Sequence, residues 1–278
     1  MRFLLLTSNE YCTAADGEDV KEKMGNLLTQ VSTISHNSDT GETEQYSVRE
    51  IGTGSFLKYD KTMPQSDHNY VWVVMDVCDA GNKNTNEGNK NTNEGNHDAD
   101  IIIACFQEMY AWSMTQFYKK ATHTYMNETF IEQGYVHKSS HNTSIMLGEA
   151  NKGTPKIMRM GMYIWTQSKL AHSFKEKYRG LPLTYLLFFT TKQMVKIEFI
   201  INDLTVHVGN VHLPMTENLY LDKKKRSNEI KLNPMKQNDR NTMLKAAITM
   251  MNKNCVFICG GTRRMNRTSR RLRQSRSR

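Results

Sequence analysis

The sequence predicts an α/β fold: a layered α/β-β/α sandwich of two mixed sheets flanked by helices. Two continuous apolar runs, at 71–77 and 101–106, are typical of strands that are covered on both faces. Alternating apolar residues at 195–201 and 204–208, separated by Asn202 and Asp203, predict a hairpin of two half-buried strands. Apolar residues at helical spacing over 110–125 predict an amphipathic helix that covers a sheet.

The remaining elements follow the same alternation of strands and helices. The apolar opening at 1–6 is too short for a secretory signal and predicts a first strand. Apolar residues at 161–165 predict another strand, and those at 243–251 predict a second helical face. A short buried strand at 255–259 then ends in Gly260 and Gly261.

Composition limits the classes of function. The net charge of +9 includes eight arginines after Thr262, and the rest of the chain holds 29 basic against 28 acidic residues. A duplex-binding enzyme more often carries a basic face within its fold, so the near-neutral body disfavours that class. Five scattered cysteines without a Cys-x-x-Cys pair predict a reducing, cytoplasmic location rather than a zinc site. No apolar run reaches the roughly 18 residues of a transmembrane helix.

Two segments differ in composition from the predicted domain at 1–261. A polar insertion at 79–99 contains Asn-Lys-Asn-Thr-Asn-Glu-Gly twice in tandem and cannot contribute to a core, which predicts disorder. The segment 262–278 is rich in arginine and serine and predicts a disordered tail. We therefore expect one folded domain with a surface insertion and a basic tail.

Four polar residues follow predicted strands. Asn9 comes after the first strand, Glu108 after the run at 101–106, and Asn210 and His212 close the hairpin. Each has an ordinary alternative role, as a turn residue, a first-turn helix acid or a structural histidine. Because layered α/β folds build sites at the carboxyl ends of strands, we expect the four side chains to meet at one edge.

The context of these residues resembles the endonuclease/exonuclease/phosphatase superfamily. Residues 98–108 resemble its strand followed by Gln-Glu, residues 7–9 resemble its opening Thr-Trp-Asn motif, and residues 208–213 resemble its Asn-x-His-Leu motif. Within the superfamily, residues 161–165, a degraded Asn-Lys-Gly motif at 191–195 and the pair Arg240-Asn241 resemble the inositol polyphosphate 5-phosphatases.

The resemblance implies a set of roles. Glu108 would bind Mg²⁺ with Asn9 beside it, and His212, with Asn210 close by, would contact the scissile phosphate. Lys192 would add positive charge near a polyanionic substrate. The implied activity is Mg²⁺-dependent removal of the 5-phosphate from phosphoinositides or inositol polyphosphates, with peripheral membrane contact where the substrate is a lipid.

The chain departs from the family pattern near its end. Gly261 stands where the family has the Asp that activates water, and Arg263 stands where it has an Asn. The last strands and a closing Asp-His pair are missing, so we expect a C-terminally truncated or frame-altered domain of reduced or no activity. Two alternatives stay open: a nuclease of the same superfamily, and a non-catalytic binding module whose arginine tail contacts RNA.

Overall fold

The computed structural model describes residues 1–9, 15–34, 46–57, 69–77, 98–110, 121–148, 156–184, 193–213, 234–250 and 256–261. Residues 79–97 of the predicted insertion and the arginine tail lie outside these residues, whereas Ala99, predicted to belong to the insertion, is buried in the core. Among the helices described, none combines the length and the apolarity that a membrane span requires.

The described residues form ten strands, three α-helices and a short 3₁₀ helix at Ser168–Leu170 between β6 and β7. In chain order the elements are β1 (Arg2–Asn9), α1 (Gly17–Thr33), β2 (Tyr46–Gly54), β3 (Tyr70–Val77), β4 (Ile101–Tyr110), α2 (Thr122–Glu132), β5 (Tyr135–Gly148), β6 (Lys156–Gln167), β7 (Lys175–Thr184), β8 (Gln193–Ile201), β9 (Leu204–His212), α3 (Pro234–Met250) and β10 (Val256–Gly261).

The strands form two mixed sheets. The six-stranded sheet has the order β2-β3-β1-β4-β6-β5, and the four-stranded sheet has the order β10-β9-β8-β7. The pairs β1–β4 and β9–β10 are parallel, and the other pairs are antiparallel. The predicted α/β sandwich of two mixed sheets is confirmed.

Three apolar clusters hold the layers together. One lies between α1, α2 and the outer face of the six-stranded sheet and includes Met24, Phe130 and Trp165. The second fills the space between the two sheets, and the third packs α3 against the outer face of the four-stranded sheet. Helices on the outside and sheets face to face give the layer order α/β-β/α.

Helix α1 shows how local sequence produces one of these layers. Its side chains Val20, Met24, Leu27 and Val31 recur at helical spacing and are buried against the six-stranded sheet. Asp16 caps the N-terminus by accepting hydrogen bonds from the backbone N–H groups of residues 18 and 19. The helix is therefore specified both by its apolar face and by its cap.

Among the described residues the two sheets differ in width, with six strands in one and four in the other. β10 packs on β1, β9 packs on β4 and β6, and β7 packs on β5. No strand of the described four-stranded sheet is stacked on β2 or β3 to a comparable extent. In β3, Val71, Val73 and Met75 are only partly buried, and Val73 and Met75 pack against the cluster between the sheets. The strand at 71–77, which the sequence predicts to be covered on both faces, is thus covered fully on the helix side and partly on the other side.

The predicted helix at 110–125 also needs correction. Tyr110 ends β4, residues 111–120 lie outside the described part, and α2 begins only at Thr122. Pairing with β6 extends β4 through Tyr110, because ladder hydrogen bonds outweigh the helical spacing of a few aromatic residues. The hairpin, the strand at 161–165 and the helix at 243–250 lie where the sequence predicts them.

Candidate functional site

Polar side chains replace apolar ones at one end of the space between the sheets. Along β1, Phe3 and Leu5 belong to the apolar cluster between the sheets, and strand alternation turns Asn9 to the same side. Along β9, Val206 and Val208 belong to that cluster, and Asn210 and His212 continue their face. The two sheets therefore present polar residues to each other where β1 and β9 end.

The strand between them contributes a residue that sequence reasoning missed. In β4, Cys105 lies in the apolar cluster between the sheets, and Gln107 follows on the same face. The parallel register pairs Gln107 with Asn9 across β1 and β4. The alternation of side chains from Cys105 could have identified Gln107 as a residue that faces the other sheet. Within the Gln-Glu motif, only Glu108 was selected as a site residue.

Gln107 and Asn210 join the two sheets through buried hydrogen bonds. The Gln107 Nε2 atom donates to Asn210 Oδ1 at 2.7 Å and to Thr7 Oγ1 at 3.3 Å. The Asn210 Nδ2 atom donates to the carbonyl oxygens of Phe106 and Gly161, each at 2.9 Å. Both side chains are 0% exposed. Asn210 of one sheet therefore binds two strands of the other, β4 and β6.

The two carbonyl oxygens also fix how both amides are oriented. A carbonyl only accepts, so Asn210 must turn its NH₂ group toward Phe106 and Gly161 and its oxygen toward Gln107. Gln107 must then turn its NH₂ group toward Asn210. Its Oε1 atom is consequently directed away from Asn210, is buried, and has no hydrogen-bond partner among the described residues.

A local irregularity in β4 adjoins this network. The register between β4 and β6 shifts between Phe106 and Met109, so Gln107 and Glu108 lie in a bulge. Gly161 pairs with Phe106 at that point, and a Cβ atom there would lie 2.5 Å from Met109 Sδ. A glycine opposite the bulge therefore leaves room for Met109 where β4 bends.

The structure brings most of the predicted site residues to this end of the sandwich. Asn9, Asn210 and His212 are 8%, 0% and 1% exposed, respectively. The backbone of Glu108 belongs to β4 directly after Gln107, while its side chain lies outside the described part. Lys192 also lies outside the described residues. The roles of all five residues remain predictions.

His212 occupies the last position of β9 between two neighbouring strands. It pairs with Gln193 of β8 on one side and with Gly261 of β10 on the other. In the family motif that the sequence resembles, the position of Gly261 is held by the Asp that activates water. The parallel pairing of Gly261 puts that position beside His212, so the missing carboxylate would belong to the same end of the sandwich.

Two histidines, His123 and His137, lie on the helix side of the six-stranded sheet beside Tyr163 and Trp165. His123 stacks on the Tyr163 ring with 4.4 Å between ring centroids, and the Tyr163 hydroxyl donates to Asn142 Oδ1 at 2.7 Å. Burial lowers the pKa of His137. Burial also lowers the pKa of His141, and the positive charge of Arg179 lowers that pKa further. Both shifts favour the uncharged imidazole of His137 and His141.

Among the described side chains, the polar groups at the strand ends are the oxygen and nitrogen atoms of Asn9, Gln107, Asn210 and His212. Among the described residues, no three His, Cys, Asp or Glu side chains form a cluster that could hold a metal ion. Gln107 Oε1 is a buried acceptor without a donor among them, and an amide oxygen is a ligand type that Mg²⁺ accepts beside carboxylates. With Glu108 as the next residue in the chain, the residues at this edge fit a hard cation.

Comparisons with known proteins find similar folds among solved structures. No protein-family model and no curated protein matches the chain. It is similar to the inositol polyphosphate 5-phosphatase domain of SPsynaptojanin in complex with inositol (1,4)-bisphosphate and calcium ion, at 13% identity and a TM-score of 0.36, over 79% of this chain and 43% of that one.

Two further solved structures span more of the chain. Humanized D. rerio TDP2 has 7% identity and a TM-score of 0.36, over 98% of this chain and 70% of that one. An endonuclease/exonuclease/phosphatase family protein from Bacteroides thetaiotaomicron has 9% identity and a TM-score of 0.32, over 94% of this chain and 64% of that one. These proteins belong to the endonuclease/exonuclease/phosphatase superfamily. The chain spans less than half of the synaptojanin domain, and TM-scores this low carry no argument about its function.

Proposed function

We propose that the chain is a phosphoesterase whose site lies at the polar end of the space between the two sheets. The observation that carries the proposal is the buried link from Gln107 of β4 to Asn210 of β9, at 2.7 Å. This link joins two of the strand ends that bear predicted site residues, so Glu108 and His212 each lie within two residues of it in sequence. Its substrate, in this proposal, is a phosphoinositide or inositol polyphosphate with a 5-phosphate.

Each residue has a distinct part in this proposal. His212 donates a hydrogen bond to a phosphoryl oxygen, whose negative charge grows as the leaving group departs. Asn210 acts as a positioning residue, because its two amide hydrogens are already donated to Phe106 and Gly161. Asn9 and Glu108 hold the cation, with Gln107 Oε1 as a neighbouring acceptor. Lys192 contributes positive charge toward the remaining phosphates of the substrate.

The cation in the proposal is Mg²⁺. When bound, it supplies positive charge that polarises the phosphoryl oxygens and favours departure of the alcohol. The oxygen-based donors at the edge suit it, since Mg²⁺ needs only one or two protein carboxylates and retains several waters. Glu108 is the carboxylate that this chain offers at the end of β4.

The chain lacks a side chain that could accept a proton from water at the Gly261 position. General-base assistance contributes roughly 10²- to 10⁴-fold to such reactions. We therefore expect the chain to release phosphate slowly, and we expect Gly261→Asp to increase the rate, because the new carboxylate would lie in the strand position next to His212.

Phosphate release tests the proposal directly. The full chain is incubated with Mg²⁺ and a soluble inositol polyphosphate that carries a 5-phosphate, both unchanged and with Gly261→Asp. Glu108→Gln in either background should lower the rate by about 100-fold or more, the loss expected when several kcal/mol of charge stabilisation disappears. The matched control is Glu132→Gln, which changes an exposed acid of α2 and should leave the rate unaltered.

The other outcomes decide between the alternatives. Cleavage of a fluorescent single-stranded oligonucleotide, with no phosphate released from the inositol compound, would assign the site to a nuclease. RNA binding that is lost on deletion of 263–278, without turnover of either substrate by the Gly261→Asp variant, would replace the enzyme with a binding module. A rate that Glu108→Gln leaves intact would contradict the proposed cation site.

A further inference from the structure

Polar side chains join the two sheets at the edge where β5 and β7 pack on each other. Among the described residues, β5 is the outer strand of the six-stranded sheet and β7 is the outer strand of the four-stranded sheet. Ser139 and His141 of β5 pair with Ile164 and Met162 of β6, which belong to the apolar cluster between the sheets. Ser139 and His141 therefore lie on the face of β5 that is turned toward the other sheet.

A bulge in β7 brings two charged residues to the opposing face. Glu176 pairs with Phe199 and Arg179 pairs with Ile197, and both partners belong to the cluster between the sheets. Residues three apart in a regular strand would lie on opposite faces, but the register shifts between Glu176 and Tyr178. The bulge therefore places a carboxylate and a guanidinium together on the side of β5.

These side chains fasten the two strands to each other. The Ser139 hydroxyl donates a hydrogen bond to Glu176 Oε2, and Arg179 Nη1 donates one to the carbonyl oxygen of Ser140 at 3.0 Å. Arg179 Nε lies 3.4 Å from Glu176 Oε1, so both oxygens of the carboxylate are engaged. We call the four side chains at this edge, Ser139, His141, Glu176 and Arg179, the edge clasp.

His141 is the member of the edge clasp whose charge changes near neutral pH. Its Nε2 atom is buried and has no hydrogen-bond partner among the described residues. A neutral imidazole can carry its proton on Nδ1, whereas a protonated one carries N–H on both nitrogens. Because the oxygens of Glu176 already contact Ser139 and Arg179, a charged His141 would bury an N–H group without an acceptor.

The charges that act on this imidazole come from β7. Among the described residues, β6 and β8 turn apolar side chains of the cluster between the sheets toward it. Helix α2 and His137 lie on the opposite face of β5, and the Lys138 ammonium makes a cation–π contact. Burial lowers the pKa of His141 and Arg179 lowers it further, whereas Glu176 opposes them with a smaller effect.

We propose that the edge clasp is a pH-sensitive fastening of the two sheets, closed when His141 is neutral and opened when His141 is protonated. Opening separates β5 from β7 at the edge, while the apolar cluster holds the rest of the sandwich together. The proposal concerns the packing of the sheets and is independent of the proposed phosphoesterase activity.

The direction of the pH effect follows from proton binding. In the open state the imidazole is hydrated and titrates near its ordinary pKa of about 6.5. In the closed state the pKa of His141 is lower, so the open state binds more protons as the pH falls below about 6.5. The closed state is therefore favoured most above that pH and less below it. Burial also lowers the pKa of His137, which destabilises the whole fold in acid in the same direction. The test must therefore be local to the edge.

Nuclear magnetic resonance of the full chain with isotope-labelled histidine measures the titration of His141 directly, and the signal is assigned by its loss in His141→Gln. Its midpoint should lie below the ordinary value of about 6.5. Arg179→Gln should raise the midpoint, because a positive charge beside the imidazole is removed. The matched control is Lys177→Gln, which removes a positive charge at the exposed bulge position of β7 and should leave the midpoint unchanged.

Hydrogen exchange, corrected for the intrinsic effect of pH on exchange, measures the opening. Protection of the β5 and β7 amides should fall by about tenfold between about pH 7.5 and about pH 5.5, while that of α1 should not change. His141→Gln has no ring to titrate and should abolish this fall. The matched control is His172→Gln, an exposed histidine shortly before β7, and this variant should retain the fall.

Three results would overturn the proposal. The first is a His141 midpoint at or above about 6.5 in the unchanged chain, a measurement that does not depend on a variant folding. The second is a fall in protection that persists in His141→Gln, because the titrating group would then lie elsewhere. The third is a loss of protection that reaches α1 equally, because acid would then unfold the whole sandwich rather than open its edge.

Discussion

At Asn210 an amide side chain meets two carbonyl oxygens and one amide NH₂ group in a fully buried position. Only Asn or Gln can donate twice and accept once there, and the shorter Asn fits the distance between the sheets. Aspartate would present oxygen to both carbonyls, and leucine would leave them without donors. The residue therefore stabilises the site by holding β4 and β6 against β9.

Replacing Asn210 tests this role. Asn210→Leu should lower the free energy of unfolding by about 3 kcal/mol, because two buried carbonyls and the Gln107 amide lose their partner. Urea denaturation followed by circular dichroism measures the change. Asn142→Leu is the matched control: Asn142 is exposed and accepts one hydrogen bond from Tyr163, so a loss of about 1 kcal/mol or less is expected. Equal losses in the two variants would contradict the inferred role.

Among the elements, the β8–β9 hairpin has the most demanding turn. Asn202 and Asp203 both adopt left-handed backbone conformations, with φ of 45° and 64°. A two-residue turn with both residues in this region matches the twist of the adjoining strands. Asn tolerates the conformation through its short polar side chain, while glycine would adopt it without steric cost.

The second position of this turn allows a stabilising substitution. Asp203→Gly should raise the free energy of unfolding by up to about 1 kcal/mol, because glycine relieves the left-handed strain at φ 64°. The comparison variant Asp203→Ala keeps a Cβ atom and should instead destabilise the chain. Urea midpoints of both variants measure the difference. If alanine stabilised as much as glycine, backbone strain would not be the cause.

The elements that could be predicted from the sequence are those whose apolar residues form a clear pattern within the element itself. The β8–β9 hairpin alternates clearly, and β4 is a continuous apolar run, so each is visible without its neighbours. β5 and β7 are edge strands with many polar residues, and pairing with β6 and β8 rather than their own pattern defines them. The sequence predicts the strand ends at which Asn9, Asn210 and His212 lie, while their roles remain predictions. Gln107 was missed, because its contact with β9 depends on how the sheets stack.

At the scale of the whole molecule, one apolar cluster couples the two sheets. Phe3, Ile103 and Ile164 of the six-stranded sheet share this cluster with Ile197 and Phe199 of the four-stranded sheet. Neither sheet can bury that face without the other. Unfolding of one should therefore remove the stability of both, which makes the sandwich a single cooperative unit.

A large-to-small substitution in the smaller sheet tests this coupling. Phe199→Ala should cost about 3–5 kcal/mol, since a fully buried ring is removed. In a Trp112→Phe background the remaining tryptophans, Trp72 and Trp165, lie in the helix-side cluster of the other sheet, so their fluorescence reports the far layer. Fluorescence and circular dichroism midpoints in urea should shift together. A fluorescence midpoint that stays at its original value would mean that the layers unfold separately.

The β8–β9 turn also bears on the site at the opposite end of the hairpin. Successive strand residues point to opposite faces, so one extra residue in the turn would shift the pairing by one and invert β9. Asn210 and His212 would then project toward α3, although the residue added in the turn would lie about 27 Å from His212 along β9. Turn length is thus a remote determinant of the proposed site, and variants with insertions or deletions at 202–203 should lose the site while keeping every residue that composes it.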